Sequence, residues 1–286
     1  MSPSMTETIT GRFSCRTFSG EPLAEDDRVT LAEAAAAMTS GPFGSWLRFA
    51  LAAASAGDAA ALKRLGTYGM IRGVSAFILG AAEPLGMYLE DFGYTMARLI
   101  LHATSLGLGT CWVGGLFTRG TFSRRISASS RERIPAVAAV GRIPDLATAQ
   151  EGLARRLAGG SRRKPWEDLF FDGAFGTVLA AERAGDYATP LAMARLAPSA
   201  SNCQPWRIVR SGTSWHFFIA RTPRYPPPIS RTLFGIEDLQ RVDSGIAMCH
   251  FELAARDHGL TGRWVVRPPS IPLPDSLTEY SATWQG

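Results

Sequence analysis

Four short stretches of this chain carry residues suited to chemistry. Near the N-terminus, Arg12, Ser14 and Arg16 stand at i, i+2 and i+4 in Arg12-Phe13-Ser14-Cys15-Arg16. In an extended segment alternate side chains share a face, which puts two guanidiniums and a hydroxyl on one side. Those donors suit a phosphate monoester. Arg162 and Lys164, again two apart, offer the same donors from elsewhere. Gly114-Gly115 lets backbone N–H groups approach a planar ligand without interference from a Cβ. The fourth stretch, Arg195 to Trp206, reads R-L-A-P-S-A-S-N-C-Q-P-W. After Pro198, the polar residues Ser199, Ser201 and Asn202 can bond their own backbone or a ligand. Pro205 pushes Gln204 into an extended conformation. Each stretch alone also fits a solvated surface or a connecting loop; their combination is what suggests a site.

Other chemistries find no support. Gly107-x-Gly109 follows a helix rather than a strand and has no third glycine in place, so it is not a dinucleotide fingerprint. There is no P-loop, no defensible Ser–His–Asp arrangement and no metal site. His102 and His250 fall on apolar helices and His216 in a strand, where packed histidines are expected. The four cysteines (Cys15, Cys111, Cys203, Cys249) are far apart and form no C-x-x-C pair, which fits a reducing cytoplasm. The net charge of +5 comes almost wholly from arginine, since only Lys63 and Lys164 are lysines. That favours compact anion sites over a flexible basic tail, and no basic run is interleaved with aromatics for nucleic acid. No signal peptide is read at Met1–Thr10. Leu99–Thr118 lacks formal charge, but its glycines, hydroxyls and His102 mark a buried helix followed by a loop rather than a membrane span.

Periodicity sets out the elements that must hold these residues. An alanine-rich helix is expected over Arg28–Met38, capped by Asp26 or Asp27, then a strand over Leu47–Ala54. A helix over Asp58–Leu65, a strand over Ser75–Leu79 and a long buried helix over Leu89–Leu106 follow. Gly107–Gly115 reads as a glycine loop, Val137–Val140 as a buried strand, and Trp166–Phe171 as a short helix followed by loop to Tyr187. Thr189 and Pro190 mark the start of a helix that ends near Leu196. A hairpin turns at Ser211-Gly212-Thr213 between Trp206–Arg210 and Trp215–Ala220. After a proline-rich loop over Pro223–Pro228 come a second long helix over Leu239–Asp257 and a strand over Arg263–Arg267. From Pro268 onward the chain reads as an extended arm.

The two long helices match beyond pattern. Asp91, Gly93, Met96, Leu101, Ala103, Gly107-Leu108 and Trp112-Val113 recur 152 positions later as Asp243, Gly245, Met248, Leu253, Ala255, Gly259-Leu260 and Trp264-Val265. Helical periodicity repeats apolar classes; it does not repeat an Asp, two glycines and a Trp without a gap. The chain therefore reads as two fused copies of one α+β unit. Residues 11–150 form the first half, 151–187 a basic linker, 188–267 the second half and 268–286 the arm. A pseudo-two-fold axis should relate the halves as it relates the subunits of a dimer. The copies differ at their special residues. Val266-Arg267 stand where the first copy has Gly114-Gly115, and Gly41–Trp46 stands where the second has Pro198–Trp206. One composite site therefore keeps a full set, and its mirror site does not.

Taken together, R-F-S-C-R-T-F, L-G-L-G-T-C-W-V-G-G, V-G-R-I-P, R-R-K-P-W-E and A-P-S-A-S-N-C-Q-P-W resemble the FMN-dependent nitroreductase family, in its single-chain, internally duplicated form. The resemblance implies an α+β nitroreductase-like fold, an intramolecular pseudo-dimer with mixed or antiparallel sheets and long central helices. It implies that Arg12, Ser14, Arg162 and Lys164 hold the FMN phosphate. Arg16, with Arg72 as a further candidate, would lie at the pyrimidine edge of the flavin. Gly114 and Gly115 would approach flavin N5 and O4, and Pro198, Ser199, Ser201 and Asn202 would line the ring and ribityl chain from the opposite half. The implied activity is electron transfer from NADH or NADPH to a nitroaromatic or quinone acceptor, with chemistry on FMN and no covalent nucleophile. One FMN per chain is expected, with no second chain needed to complete the site. A flavin-binding protein without turnover is the alternative, and a structural protein that has lost flavin a more distant one.

Overall fold

A computed structural model describes residues 3–53, 71–115, 117, 119–144, 162–225 and 235–286. The helix expected over Asp58–Leu65 lies outside them. The chain begins with α1 (Met5–Gly11) and α2 (Glu25–Ala37), followed by β1 (Leu47–Ala53), β2 (Ala76–Ala82), α3 (Tyr88–Ser105), β3 (Gly109–Val113), α4 (Arg119–Arg125) and β4 (Val137–Gly141). Then come β5 (Phe170–Asp172), α5 (Ala188–Leu196), β6 (Trp206–Ser211), β7 (Ser214–Ala220), α6 (Leu239–Asp257), β8 (Arg263–Val265) and β9 (Thr278–Gln285). No helix among the described residues is long and apolar enough to cross a membrane.

The strands form two sheets, ordered β1-β2-β4-β3 and β5-β6-β7-β9-β8. Within each sheet the pairings are antiparallel, apart from β5, which runs parallel to β6. Leaving β5 aside, the second sheet repeats the first in order and direction, with a long helix between its second and third strands in each case. Helices α3 and α6 pack together at the centre and bury nearly all their apolar surface. Their crossing is held close by two glycines. A Cβ on Gly93 would clash with the Val242 carbonyl, and a Cβ on Gly245 with the Glu90 carbonyl. Glu90 and Val242 are 152 positions apart, as are Gly93 and Gly245, so the contact is reciprocal. Beside it, Arg241 spans the crossing to buried Glu90 through bonds of 2.7 and 2.6 Å.

Several expected elements differ in the structure. Gly107–Gly115 is not a loop throughout: Gly109–Val113 is strand β3, because a glycine-bearing segment beside a buried strand can still complete its ladder. Trp166–Phe171 is a 3-10 turn over Trp166–Asp168 that passes into β5, so the basic linker contributes a strand to the second sheet. The expected loop before Tyr187 contains a 3-10 stretch from Ala181. Helix α5 starts at Ala188, ahead of Thr189, and its N-cap Tyr187 makes no side-chain cap bond. Likewise α2 starts at Glu25, which leaves Asp26 and Asp27 inside the first turn, where their charge favours the helix dipole. The last strand of the second half ends at Val265. The proline-rich arm is no arm at its end. Thr278–Gln285 is inserted between β7 and β8, with Ala282 and Trp284 fully buried. Its alternating pattern was masked by the prolines before it.

Helix α1 had no expectation attached, although Ser4-Met5-Thr6-Glu7 spells a capping box. Ser4 Oγ accepts from the Glu7 N–H (3.1 Å), and a Glu7 carboxylate oxygen accepts from the Ser4 N–H (2.8 Å). The helix is tied to the end of α6, where the Thr6 N–H and hydroxyl both donate to Asp257. Its C-cap is Arg12.

Candidate functional site

The segment after α1 runs along the outer edge of β3. Ser14 bridges Thr110, and the Cys15 N–H donates to the Thr110 carbonyl at 2.8 Å. The same segment continues past Arg72, whose N–H donates to the Arg16 carbonyl and whose carbonyl accepts from the Phe18 N–H, both at 2.9 Å. Extended pairing imposes the expected alternation. Cys15 points into the core with no exposure, while Ser14 and Arg16 lie on the other face and are half-buried. Arg72 reaches this place through its backbone, and the residue is exposed.

The arginines converge where the halves meet. Burial pushes the Cys111 thiol up, and the Arg16 and Arg12 guanidiniums oppose that shift, so both lie close to β3. Arg12 is buried. On α6, the His250 imidazole is held down to about 3, first by burial and then by the Arg12 and Arg163 guanidiniums; its bond to the Met193 carbonyl acts the other way. Arg12 therefore stands between a strand of the first half and the long helix of the second. Arg16 Nη1 is buried without a hydrogen-bond partner among the described residues.

The second half supplies a bonded unit of two segments. The Asn202 side-chain amide donates to the Arg162 carbonyl (2.9 Å), and the Lys164 N–H donates to Gln204 Oε1 (2.8 Å). Arg163 donates to the Leu196 carbonyl at 3.1 Å and to Asn202 Oδ1 at 3.4 Å. Arg195 donates to the Lys164 carbonyl, and Ser199 Oγ accepts from the Gln204 N–H, both at 2.8 Å. The strand β5 that follows this segment explains the docking: pairing with β6 draws residues 162–164 alongside Pro198–Gln204.

This geometry sorts the expected site residues. Arg12, Ser14, Arg16 and the backbone of Arg72 come together on the first half, while Arg162 and Lys164 join Pro198, Ser199, Ser201 and Asn202 on the second. Arg162 is exposed. The Lys164 amine lies among Arg207, Cys203 and Asp168, and its pKa is lowered mainly by burial, then by Arg207. Arg163, part of the R-R-K-P-W-E stretch but given no role there, is its basic residue that shares His250 with Arg12. Gly114 and Gly115 follow β3 and lie against the start of the second long helix, where Gly114 is the more closely packed of the two. A Cβ there would lie 3.0 Å from Leu239 Cδ1 at the start of α6, whereas one on Gly115 would make ordinary contact with Ile236 at 3.6 Å. Val266, 152 positions after Gly114, is 55% exposed. Gln204, expected to be extended before Pro205, instead has a left-handed φ of 47°, is 3% exposed and ties the two segments through its side chain, a role the sequence reading missed. Its place in the Asn-x-Gln-Pro run was the available signal.

The fold is that of an α+β protein of the nitroreductase type. The model of the family described as "Putative TM nitroreductase" matches residues 4–255. The chain belongs to that family. Among solved structures, a protein of Thermotoga maritima MSB8 described as a putative nitroreductase is 18% identical, with a TM-score of 0.63 over 100% of this chain and 94% of that one. A structure described as an oxidoreductase containing FMN is 22% identical, with a TM-score of 0.49 over 59% of this chain and 92% of its own. A nitroreductase with bound FMN from Desulfitobacterium hafniense DCB-2 is also 22% identical, with a TM-score of 0.40 over 51% and 92%. No curated protein matches the chain.

Proposed function

We propose that the protein is an FMN-dependent oxidoreductase that passes electrons from NADH or NADPH to a nitroaromatic or quinone acceptor. The observation that carries this reading is Arg16, a guanidinium beside β3, as Arg12 is, with a buried nitrogen that has no hydrogen-bond partner among the described residues. A buried donor left unbonded costs about 1–3 kcal/mol, which an acceptor-rich ligand edge would recover. FMN, when bound, supplies hydride acceptance and donation. The chain's own residues bind and orient. Arg12, Ser14 and Arg163, with Arg162 and Lys164 nearby, would hold the phosphate. Arg16 would stabilise negative charge at the pyrimidine edge, an effect that grows as water is excluded. Gly114 and Gly115 would present backbone to the ring, and Pro198, Ser199, Ser201 and Asn202 would close it from the second half. The free thiols suit a cytoplasmic protein.

We further infer that the chain is an internal duplication with one FMN per polypeptide. Matching strand orders, the reciprocal Gly93–Gly245 crossing and the constant offset of 152 support it. So does the distribution of special residues, which fills one of the two pseudo-equivalent sites. The site is built within one chain, so a monomer suffices. The purified protein should be yellow, lose its colour anaerobically with NADH or NADPH, and regain it with a quinone. Acid-released flavin measured against protein should approach one per chain. Bound FMN that neither nicotinamide bleaches would move the reading to a binding protein without turnover, and two flavins per chain would overturn the one-site inference.

A further inference from the structure

We propose that Asp243 is a positioning residue of the flavin site, holding the Ser199–Asn202 turn in the shape that receives the cofactor. The proposal rests on the FMN reading above and begins from the pseudo-equivalent Asp91. In α3, both oxygens of Asp91 are used: Oδ1 accepts from the Phe43 N–H and Oδ2 from the Ser45 N–H, each at 2.8 Å. In α6, Asp243 Oδ1 accepts from the Ala200 N–H at 2.9 Å, whereas Oδ2 is buried without a hydrogen-bond partner among the described residues. The N–H two residues beyond Ala200, that of Asn202, turns away to the Ser199 carbonyl at 3.0 Å.

The backbone shows why the second bond is missing. Ser201, Asn202 and Gln204 have φ of 49°, 54° and 47°, a conformation that non-glycine residues adopt at a cost. Three of the five positive-φ residues other than glycine among the described residues thus fall in this one loop. Such strain persists where surrounding structure fixes it, here by the bonds of Asn202 and Gln204 to residues 162–164 on one side and by contacts within and beneath the loop on the other. Asp243 holds the turn from below, Ser199 Oγ closes it on Gln204, and Ser201 Oγ meets the Tyr225 hydroxyl at 3.3 Å. Asp243 faces Cys203, Tyr225 and Asp238, and burial raises its pKa well above the ordinary carboxylate range, which Asp238 reinforces. Among the described residues no cation pairs with it, whereas Glu90 pairs with Arg241. A carboxyl buried at that cost, half of its bonding capacity unused, under the strained turn assigned to the flavin is a residue kept for what the turn must do.

FMN titration of Asp243→Ala, Asp243→Asn, Ala200→Pro and Asp91→Asn tests this, each fold being checked by circular dichroism. Loss of the tether should weaken FMN binding about tenfold in Asp243→Ala and shift the bound flavin's visible spectrum. Asn keeps an acceptor at Oδ1, so Asp243→Asn should restore both to within about threefold of the unaltered protein. Ala200→Pro removes only the donated N–H, at a position after extended Ser199 that tolerates proline, and should reproduce the Asp243→Ala defect even if that variant fails to fold. Asp91→Asn should lower thermal stability and leave the flavin spectrum alone. Unaltered FMN binding in Ala200→Pro, or an Asp243→Asn variant as defective as a folded Asp243→Ala, would overturn the proposal. An unaltered protein that binds no FMN would overturn the functional reading beneath it as well.

Discussion

Helices α3 and α6 meet the same packing demand and serve different loops. Both bury their apolar faces against each other and a sheet, and both carry a glycine at the crossing and an aspartate two residues before it. Around α3 the loop is short and doubly bonded to Asp91, and β1 has no parallel neighbour among the described residues. Around α6 the loop is longer and strained, is bonded once to Asp243, and leans on a segment that β5 brings alongside β6. The comparison separates two kinds of residue. Those that recur at the offset of 152 sit at the crossing of the two long helices, and those without a counterpart gather at the proposed cofactor site.

The largest effect should come from breaking what is shared. Gly93→Val and Gly245→Val each drive a side chain into the backbone of the opposite helix. Each should cost about 4 kcal/mol or more, at the severe end for single substitutions. Denaturant midpoints should fall similarly for the two, since the contact is reciprocal. A loss confined to one of them would break the equivalence of the halves.

A smaller effect separates the residues that are not shared. Arg12→Ala and Arg163→Ala should each weaken FMN binding on the order of ten- to a hundredfold, from loss of a bond to a charged group of about 1.5–3 kcal/mol. Lys164→Ala should have the weaker effect, because its amine lies among Arg207, Cys203 and Asp168. Isothermal titration would rank the three. A Lys164→Ala loss as large as that of Arg12→Ala would place the phosphate nearer Arg207 than His250.

The smallest effect concerns a position where the helices diverge outright. His250 is 1% exposed, while Arg98, 152 positions earlier, is exposed. Unfolded, the imidazole takes up a proton near pH 6.5; folded, burial and then Arg12 and Arg163 hold it to about 3. Between those values the unfolded chain binds the extra proton. The contribution of His250 is therefore fully present above pH 6.5 and is lost as pH falls toward 3. Its share is at most about 1.4 kcal/mol per pH unit. His250→Asn should flatten the acid limb of a stability profile measured by urea denaturation between pH 4 and 7. An unchanged slope would remove His250 from the acid sensitivity.

Much of this was legible in the sequence. Leu239–Asp257 and the hairpin were placed nearly residue for residue, because helical and alternating periodicities are local consequences of burying one face. The repeat at a constant offset was legible too, since Asp, Gly and Trp at fixed spacing are not dictated by periodicity. The stretches around Arg12, Gly114 and Pro198 could be singled out by residue type, but only their combination suggested a site. What the sequence did not determine depends on partners far along the chain. Thr278–Gln285 became a central strand because β7 and β8 leave an interior place in the sheet, which no local pattern after a proline run announces. Arg163 rather than Lys164 came to share His250 with Arg12, a placement that depends on the pairing of β5 with β6. Gly114 proved to be packed by Leu239, and one oxygen of Asp243 was left unused, because the halves meet where the sequence places nothing in contact. Local pattern decides which face a residue presents, and only tertiary packing decides what meets that face.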